Sequence, residues 1–292
     1  MRKLLLQLDS SRLPSVFDRV VAYDGGADEV LSYGGIGEPE VRDLIHGCIF
    51  TRGPKDLHCT AAFIGGADMA AGEQLLTAAQ KAFFGPFTIS LMLDSNGSNT
   101  TAVAAVAKML QAAGDVRGKR TVVISGTGPV GRRAAGLLAK AGAQVVITSR
   151  KAEAGEAASR AVVQRFGGSV TSTAMTSSAE AAGVLEGAAL LLNAGPAGVQ
   201  MVPRSAWAGR SGLRVAADVN AVPPLGIEGV KQNDRGVQKD GVTVFGALAI
   251  GDLKMKLHKA CIARLFERND FVLDAETIAE FAQELIAKPS GR

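Results

Sequence analysis

The sequence predicts an α/β protein of two lobes, one of them built on a doubly wound parallel sheet. Three observations lead there. The chain has 292 residues, more than one hydrophobic core usually organises. From about residue 101 onward, apolar runs of strand length alternate with helical stretches. A glycine-rich turn, Gly126-Thr127-Gly128-Pro129-Val130-Gly131, joins one such strand to the helix after it.

In the first hundred residues, apolar runs at 3–8, 58–64 and 88–93 read as strands. The opening run is too short for a signal peptide and lacks a cleavage pattern. Helical segments fall at 14–22, 39–46 and 68–84. The last begins at Asp68, whose carboxylate suits the free amides of a helix start, and stops before Gly85-Pro86. Gly-Gly-Ala-Asp occurs at 25–28 and again at 65–68, which fits either a faint duplication or chance. A helix over 98–113 carries the chain into the second lobe.

There, strands are expected at 121–125, 144–148, 169–174, 189–193, 214–219 and 242–245, with helices clearest at 129–142 and 152–166. Beyond Gly251, apolar positions 253, 257, 261, 262, 265 and 266 share one helical face, and a final helix spans 274–287. These helices exceed what six strands need, so they are expected to pack back toward the first lobe. The expected domains are 1–100 completed by 253–292, and 101–252, with a cleft between the lobes.

Composition narrows the function. Hydrophobic residues make up 47% and charged residues 21%, an ordinary globular balance that excludes disorder. The net charge of +4 is spread along the chain with no basic cluster, which argues against nucleic acid as the main partner. Three cysteines are too few for a disulfide framework or a zinc cage; Cys48 and Cys261 read as small buried hydrophobes. No run approaches about 18 uninterrupted apolar residues, so no membrane span is expected and the protein reads as cytoplasmic.

The glycine turn carries the chemistry. The buried-strand run Thr121-Val122-Val123-Ile124-Ser125 precedes it and a helix opens directly after it. In this setting Gly126 makes a tight turn, Gly128 lets backbone approach a pyrophosphate, and Gly131 lets helix meet strand. Backbone amides at the helix start, aided by its dipole, suit an anion, and Thr127, Pro129 and Val130 count among the residues expected to bind the cofactor. The expected ligand is a nicotinamide dinucleotide.

The next strand ends in Ser149-Arg150-Lys151, with no carboxylate until Glu153. A carboxylate there would bind a ribose 2′-hydroxyl and repel a 2′-phosphate; a hydroxyl and two cations attract the phosphate. NADP is therefore favoured, while solvated loop charges would leave NAD acceptable. The strand ending at Asn193 runs into Ala194-Gly195, where small residues suit a flat nicotinamide, although Asn193 also fits an ordinary turn.

Acid–base candidates are scarce. His46, His58 and His258 show no metal or dyad spacing, and neither Tyr23 nor Tyr33 has a lysine at helical spacing. His46 reads as a partner of a helix C-terminus and His258 as a plain helix residue. Alcohol oxidation needs a base for the hydroxyl proton. Oxidation of a carbon held between two amine nitrogens does not, since the lone pairs stabilise the cation. Positioning and water exclusion suffice for it.

Several longer stretches carry a resemblance. They are Pro14-Ser15-Val16-Phe17-Asp18, Tyr23-Asp24-Gly25-Gly26-Ala27-Asp28, Gly65-Gly66-Ala67-Asp68-Met69-Ala70-Ala71-Gly72-Glu73 and Phe83-Phe84-Gly85-Pro86-Phe87. Met92-Leu93-Asp94-Ser95-Asn96-Gly97-Ser98-Asn99-Thr100-Thr101 is the most specific; the glycine turn, Asn220-Ala221-Val222-Pro223-Pro224-Leu225-Gly226-Ile227 and Phe245-Gly246-Ala247-Leu248 continue it. Together they resemble the NAD(P)-dependent methylene-tetrahydromethanopterin dehydrogenases of methylotrophic bacteria.

The resemblance implies a Rossmann-type cofactor lobe, an N-terminal α/β pterin lobe, a homotrimer or homohexamer, no metal, and a role in one-carbon (formaldehyde) oxidation. It implies hydride transfer from methylene-tetrahydromethanopterin to NADP or NAD, giving the methenyl compound. Phe17, Asp18, Asp94, Asn96, Ser98 and Asn99 are then expected to meet the pterin, and Thr100 and Asn220 to join the cofactor residues. Segment 94–101 also fits a capped interdomain turn, and Phe17 a core position. Lys254 and Lys256 suit a pterin carbonyl or anionic tail, or are solvated helix charges. A tetrahydrofolate carrier and a non-enzymatic nicotinamide sensor are the alternative functions.

Overall fold

The computed structural model describes residues 1–287. The chain divides into two compact units: Met1–Thr100 together with Met255 onward, and Thr101–Lys254. The second unit is thus an insertion within the first.

The first unit opens with β1 (Leu4–Asp9), α1 (Val16–Asp24), β2 (Glu29–Gly34), α2 (Glu38–Ile49), β3 (Thr60–Gly65), α3 (Met69–Lys81) and β4 (Ser90–Leu93). The strands lie in the order β2-β1-β3-β4, all parallel. Alternation along each strand puts Leu6, Leu8, Ala62, Ile64, Leu91 and Leu93 on one face, where Val41, Ile45 and Ile49 of α2 and Met69, Leu75 and Ala79 of α3 complete a core. Ser15 caps α1 by accepting the Asp18 N–H at 3.2 Å; Asp68 Oδ1 caps α3 by accepting from Ala70 and Ala71 at 2.8 and 3.2 Å. β2 was not expected. It is an edge strand, so Glu29, Ser32 and Tyr33 break the apolar run by which the others are read.

α4 (Ser98–Ala113) leads to β5 (Arg120–Ile124), α5 (Pro129–Lys140), β6 (Gln144–Ser149), α6 (Ala152–Phe166) and β7 (Ser169–Ala174). A short α7 (Ala181–Val184), β8 (Leu190–Asn193), a short α8 (Arg204–Trp207), β9 (Val215–Asp218), β10 (Arg235–Lys239) and β11 (Val242–Phe245) complete the second unit's sheet. The seven strands lie in the order β10-β11-β9-β8-β5-β6-β7, and only β10 runs antiparallel to its neighbour. The chain winds from β5 outward through β6 and β7, then returns to β8 on β5's other side. That reversal makes a crevice outside the carboxyl ends of β5 and β8, where doubly wound folds bind ligands. Val122, Ile124, Val146, Leu191, Ala216 and Val244 fill one face with Trp207, whose indole N–H donates to the Glu228 carbonyl at 2.9 Å.

β10 was also unexpected. It joins β11 through Asp240 (φ 49°) and Gly241 (φ 81°), both left-handed, as a two-residue hairpin turn requires.

α9 (Ala247–Arg264), β12 (Val272–Leu273) and α10 (Ala275–Ala287) follow. Gly251, expected to precede the helix, lies inside α9. β12 pairs in parallel with β4, making the first sheet five-stranded. α9 buries Leu257, Cys261 and Ile262, and Leu265 just beyond its end is buried as well. A Cβ on Gly25, at the end of α1, would stand 2.6 Å from Ile262 Cβ, so the glycine lets these helices approach.

One contact seats α5 on the second sheet. A Cβ on Gly131 would fall 2.7 Å from Gly126 Cα and 2.9 Å from the Ser125 carbonyl oxygen, and neither backbone atom can swing aside. Gly131→Ala is therefore expected to destabilise the protein by about 1–3 kcal/mol, as overpacking does, measured by urea unfolding. Gly128→Ala, whose added Cβ meets only the Ser125 oxygen at 3.7 Å, is expected to leave the midpoint unchanged.

Candidate functional site

The turn between β5 and α5 departs from its expected anatomy in one respect. The left-handed residue is Ser125 (φ 55°), not Gly126. Gly126 is needed for another reason: its Cβ would stand 2.5 Å from Ile147 Cβ on β6. Ser125 holds its conformation, which costs an L-residue about 1–2 kcal/mol, between two hydrogen bonds. Its N–H donates to Thr148 Oγ1 at 2.9 Å, and its carbonyl accepts the Gly128 N–H at 3.3 Å. Gly128 is the N-cap of α5 and Pro129 its first residue, a position where a missing N–H loses nothing. The free amides of the first turn therefore rise beside Gly128.

Over that turn lies a cavity of about 750 Å³, within the range of small-molecule sites. Its walls come from carboxyl ends of the strands: Ser125, Thr127 and Gly128 after β5; Thr148, Ser149 and Arg150 at β6; Met175 to Ser178 after β7; Ala194, Pro196 and Val199 to Met201 after β8. Of the residues expected to bind cofactor, Thr127, Gly128, Ser149, Arg150 and Ala194 line it. Gly126, Pro129, Val130, Gly131, Lys151, Asn193, Gly195 and Asn220 are near it in sequence but not among its walls; Thr100 belongs to the first unit.

The strand ends are held by internal bonds. Ser149 Oγ donates to the Lys151 carbonyl at 2.8 Å, leaving Arg150 exposed at the cavity, and Lys151 stands at the N-cap position of α6 without a side-chain cap bond. Asn193 is fully buried: its amide donates to Asp218 Oδ1 at 2.8 Å, and its oxygen accepts the Gly195 N–H at 3.2 Å. Asp218 also accepts N–H groups of Asn220 (3.0 Å) and Ile227 (2.9 Å). Burial holds its carboxyl above the ordinary range, against the pull of these donors. Asn220 Oδ1 accepts from Val222 at 2.9 Å. Asn193 and Asn220 thus shape the loops after β8 and β9. The loop after β7 was not singled out from sequence. Glu180 fixes it, accepting from the Thr176 N–H (3.1 Å), the Thr176 hydroxyl (2.6 Å) and Ser177 (3.3 Å), bonds that lower the Glu180 pKa.

In the first unit, segment 94–101 is not the free polar stretch its composition suggests. Asp94, Ser98, Asn99 and Thr100 are fully buried. Asp94 caps α4 from beyond a 3-10 turn: Oδ1 accepts the amides of Asn99 (2.9 Å) and Thr100 (3.0 Å), and Oδ2 accepts the Thr100 hydroxyl at 2.6 Å. Ser98 donates to the Ser95 carbonyl at 2.7 Å, and Asn99 to the Leu93 carbonyl. The cap accounts for these side chains without a ligand; Asn96, left-handed at φ 55°, is the exposed member.

Phe17 is 49% exposed and Asp18 half-buried in the first turn of α1. The Phe17 ring lies 6.4 Å from that of His258. His258 is more than a plain helix residue. It is fully buried, stacked on Phe63 at 5.4 Å, with Nδ1 4.0 Å from Asp94 Oδ2. Lys254 is half-buried and Lys256 exposed on α9. His46 Nε2 donates to the Ala82 carbonyl at 3.1 Å. Cys261 is buried, whereas Cys48 is only partly so; burial raises both thiol pKa values, that of Cys48 to about 11. Among the described residues no cluster of His, Cys, Asp and Glu is built to hold a metal ion, and no helix is long and apolar enough to cross a membrane.

Solved structures share this fold. Quinate dehydrogenase from Corynebacterium glutamicum superposes with TM-score 0.53 at 14% identity, over 97% of this chain and 99% of that one. Shikimate 5-dehydrogenase from Listeria monocytogenes does so with TM-score 0.53 at 11% identity, over 98% and 96%. Sequence relatives are nearer. Residues 16–96 match the family model described as methylene-tetrahydromethanopterin dehydrogenase, N-terminal. The bifunctional protein MdtA of Methylorubrum extorquens is 50% identical over 97% of this chain and 99% of its own length. The NAD(P)-dependent methylenetetrahydromethanopterin dehydrogenase of the same organism is 33% identical over 97% and 99%. The chain belongs to the methylene-tetrahydromethanopterin dehydrogenase family, a family of NAD(P)-dependent oxidoreductases.

Proposed function

We propose that this protein oxidises methylene-tetrahydromethanopterin to the methenyl compound with NADP as preferred acceptor, a step of one-carbon (formaldehyde) oxidation. The observation that carries the reading is the cavity over Gly128 and Arg150, at the strand ends of a chain in this family. A nicotinamide held there would supply the hydride acceptor, and the nitrogens flanking the methylene carbon would stabilise the remaining cation. The chain's own residues supply placement. Amides at the start of α5 hold the pyrophosphate, and Gly128, lacking a side chain, leaves it room. Arg150, exposed at the cavity with no carboxylate beside it on β6, takes the ribose 2′-phosphate.

The carrier belongs to the first unit, at the carboxyl ends of its strands, where Phe17, Asp18 and Asn96 stand nearest the surface. Lys256 is available to an anionic group. Asp94, Ser98, Asn99 and Thr100 act behind that surface, by fixing α4. The family resemblance supports a cytoplasmic homotrimer or homohexamer.

Purified protein given methylene-tetrahydromethanopterin is expected to reduce NADP faster than NAD, followed by the absorbance of the reduced nicotinamide. Methylene-tetrahydrofolate is the comparison carrier; faster turnover with it would reassign the substrate. No turnover with either carrier overturns the dehydrogenase reading in favour of a nicotinamide sensor. Gly128→Leu is expected to weaken dinucleotide binding by about a hundredfold or more, with little change in thermal stability. Arg150→Ala is expected to weaken NADP about tenfold more than NAD, the loss of one charge-assisted contact; equal losses would show that Arg150 does not read the 2′-phosphate.

A further inference from the structure

Ser125 stands out on the cavity wall on three counts. It is one of three non-glycine residues with positive φ among the described residues, the others being Asn96 and Asp240. Asparagine and aspartate adopt that conformation readily; serine has less reason to. A glycine at 125 would relieve the backbone, and this chain places glycine freely in the same turn, at 126, 128 and 131. The side chain is therefore what distinguishes the serine. Its hydroxyl makes no hydrogen bond within the described residues, although its backbone N–H and carbonyl are both engaged, with Thr148 and Gly128. Strained residues that persist without a structural need gather where ligands are bound.

Its location selects the part of the ligand. Ser125 lies at the carboxyl end of β5, on the side of β8: its Oγ is 3.4 Å from where a Cβ on Gly195 would be. This is the reversal point of the sheet, between strands that wind in opposite directions. Arg150, at the end of β6, marks the other side of β5. A dinucleotide lying across the strand ends with its adenosine toward Arg150 brings its nicotinamide half past Ser125.

Resting on the cofactor reading above, we propose that Ser125 is a cofactor-binding residue whose hydroxyl donates to the nicotinamide half of the dinucleotide, at the pyrophosphate or the adjoining ribose. The left-handed backbone is retained because it aims that hydroxyl into the cavity while the amide stays on Thr148. Ser125 then joins Gly128 and Arg150 in one bound molecule, each on a separate part.

The test is equilibrium binding by calorimetry, with NADP and with adenosine 2′,5′-bisphosphate, which lacks the nicotinamide half. Ser125→Ala keeps the left-handed strain and removes only the hydroxyl. It is expected to weaken NADP about tenfold and the bisphosphate by less than twofold, without lowering the melting temperature. Ser125→Gly removes the hydroxyl from a relaxed backbone and is expected to lose NADP affinity to the same extent. Unchanged NADP affinity in Ser125→Ala, with binding abolished in Gly128→Leu, would overturn the inference and leave the cofactor reading standing. NADP affinity unchanged in both variants would overturn the cofactor reading itself. Equal losses for NADP and the bisphosphate in Ser125→Ala would place the hydroxyl elsewhere and overturn the assignment to the nicotinamide half, as would full affinity in Ser125→Gly.

Discussion

The second unit depends on one steric fact: the backbone of α5 at Gly131 rests directly on the backbone of Ser125 and Gly126. Nothing larger than hydrogen fits between them. The contact fixes the distance of helix from strand and points the helix's first amides across the ends of β5 and β6. The cavity is the space left above that arrangement, walled by successive strand ends as they fan away from the turn. Two further glycines belong to the same construction for different reasons. Gly126 makes room for Ile147, whereas Gly128 faces open space that the protein itself does not need.

In the first unit the corresponding anchor is polar. Asp94 gathers two amides and a hydroxyl at the start of α4 and lies 4.0 Å from His258, a ring sealed from solvent against Phe63. A buried carboxylate without donors would be costly; with three it becomes the fixed point from which α4 leaves the sheet. The same device recurs at Asp218, which binds the Asn193 amide and the backbone of Asn220 and Ile227. Each buried aspartate holds the end of a strand and the loop beyond it.

How much of this was legible depends on what each residue's neighbours reveal. Strands buried on both faces announce themselves as apolar runs, and β1, β3, β4, β5, β6, β8, β9 and β11 were all readable so; β7 was read as such a run too, although only its Val170 is buried. β2, β10 and β12 were not, because an edge strand with one exposed flank tolerates Glu29 or Arg235, and β12 is only two residues long. For β10 a usable signal existed, since Asp240-Gly241 is a hairpin dipeptide flanked by alternating residues. On the cavity wall, Thr127, Gly128 and Arg150 could be found by spacing from a strand. Met175 to Ser178 could not, because they enter the cavity from a loop whose shape Glu180 sets. The polarity of residues 94–101 was visible, but whether such groups face a ligand or each other is decided in three dimensions. His258 carries no sequence cue, lying alone on the apolar face of α9.

The insertion of one unit inside the other has a consequence for biosynthesis. As the chain leaves the ribosome, β1 to β4 emerge early, but β4 pairs on its outer edge only with β12, and the hydrogen bond from the Leu91 N–H to the Phe271 carbonyl beside that pairing spans the entire inserted unit. Until then a bare parallel edge, the kind of template on which chains aggregate, waits through the synthesis of about three-fifths of the protein. The inserted unit is contiguous and can condense in that interval. The nascent chain can therefore complete its middle before its beginning.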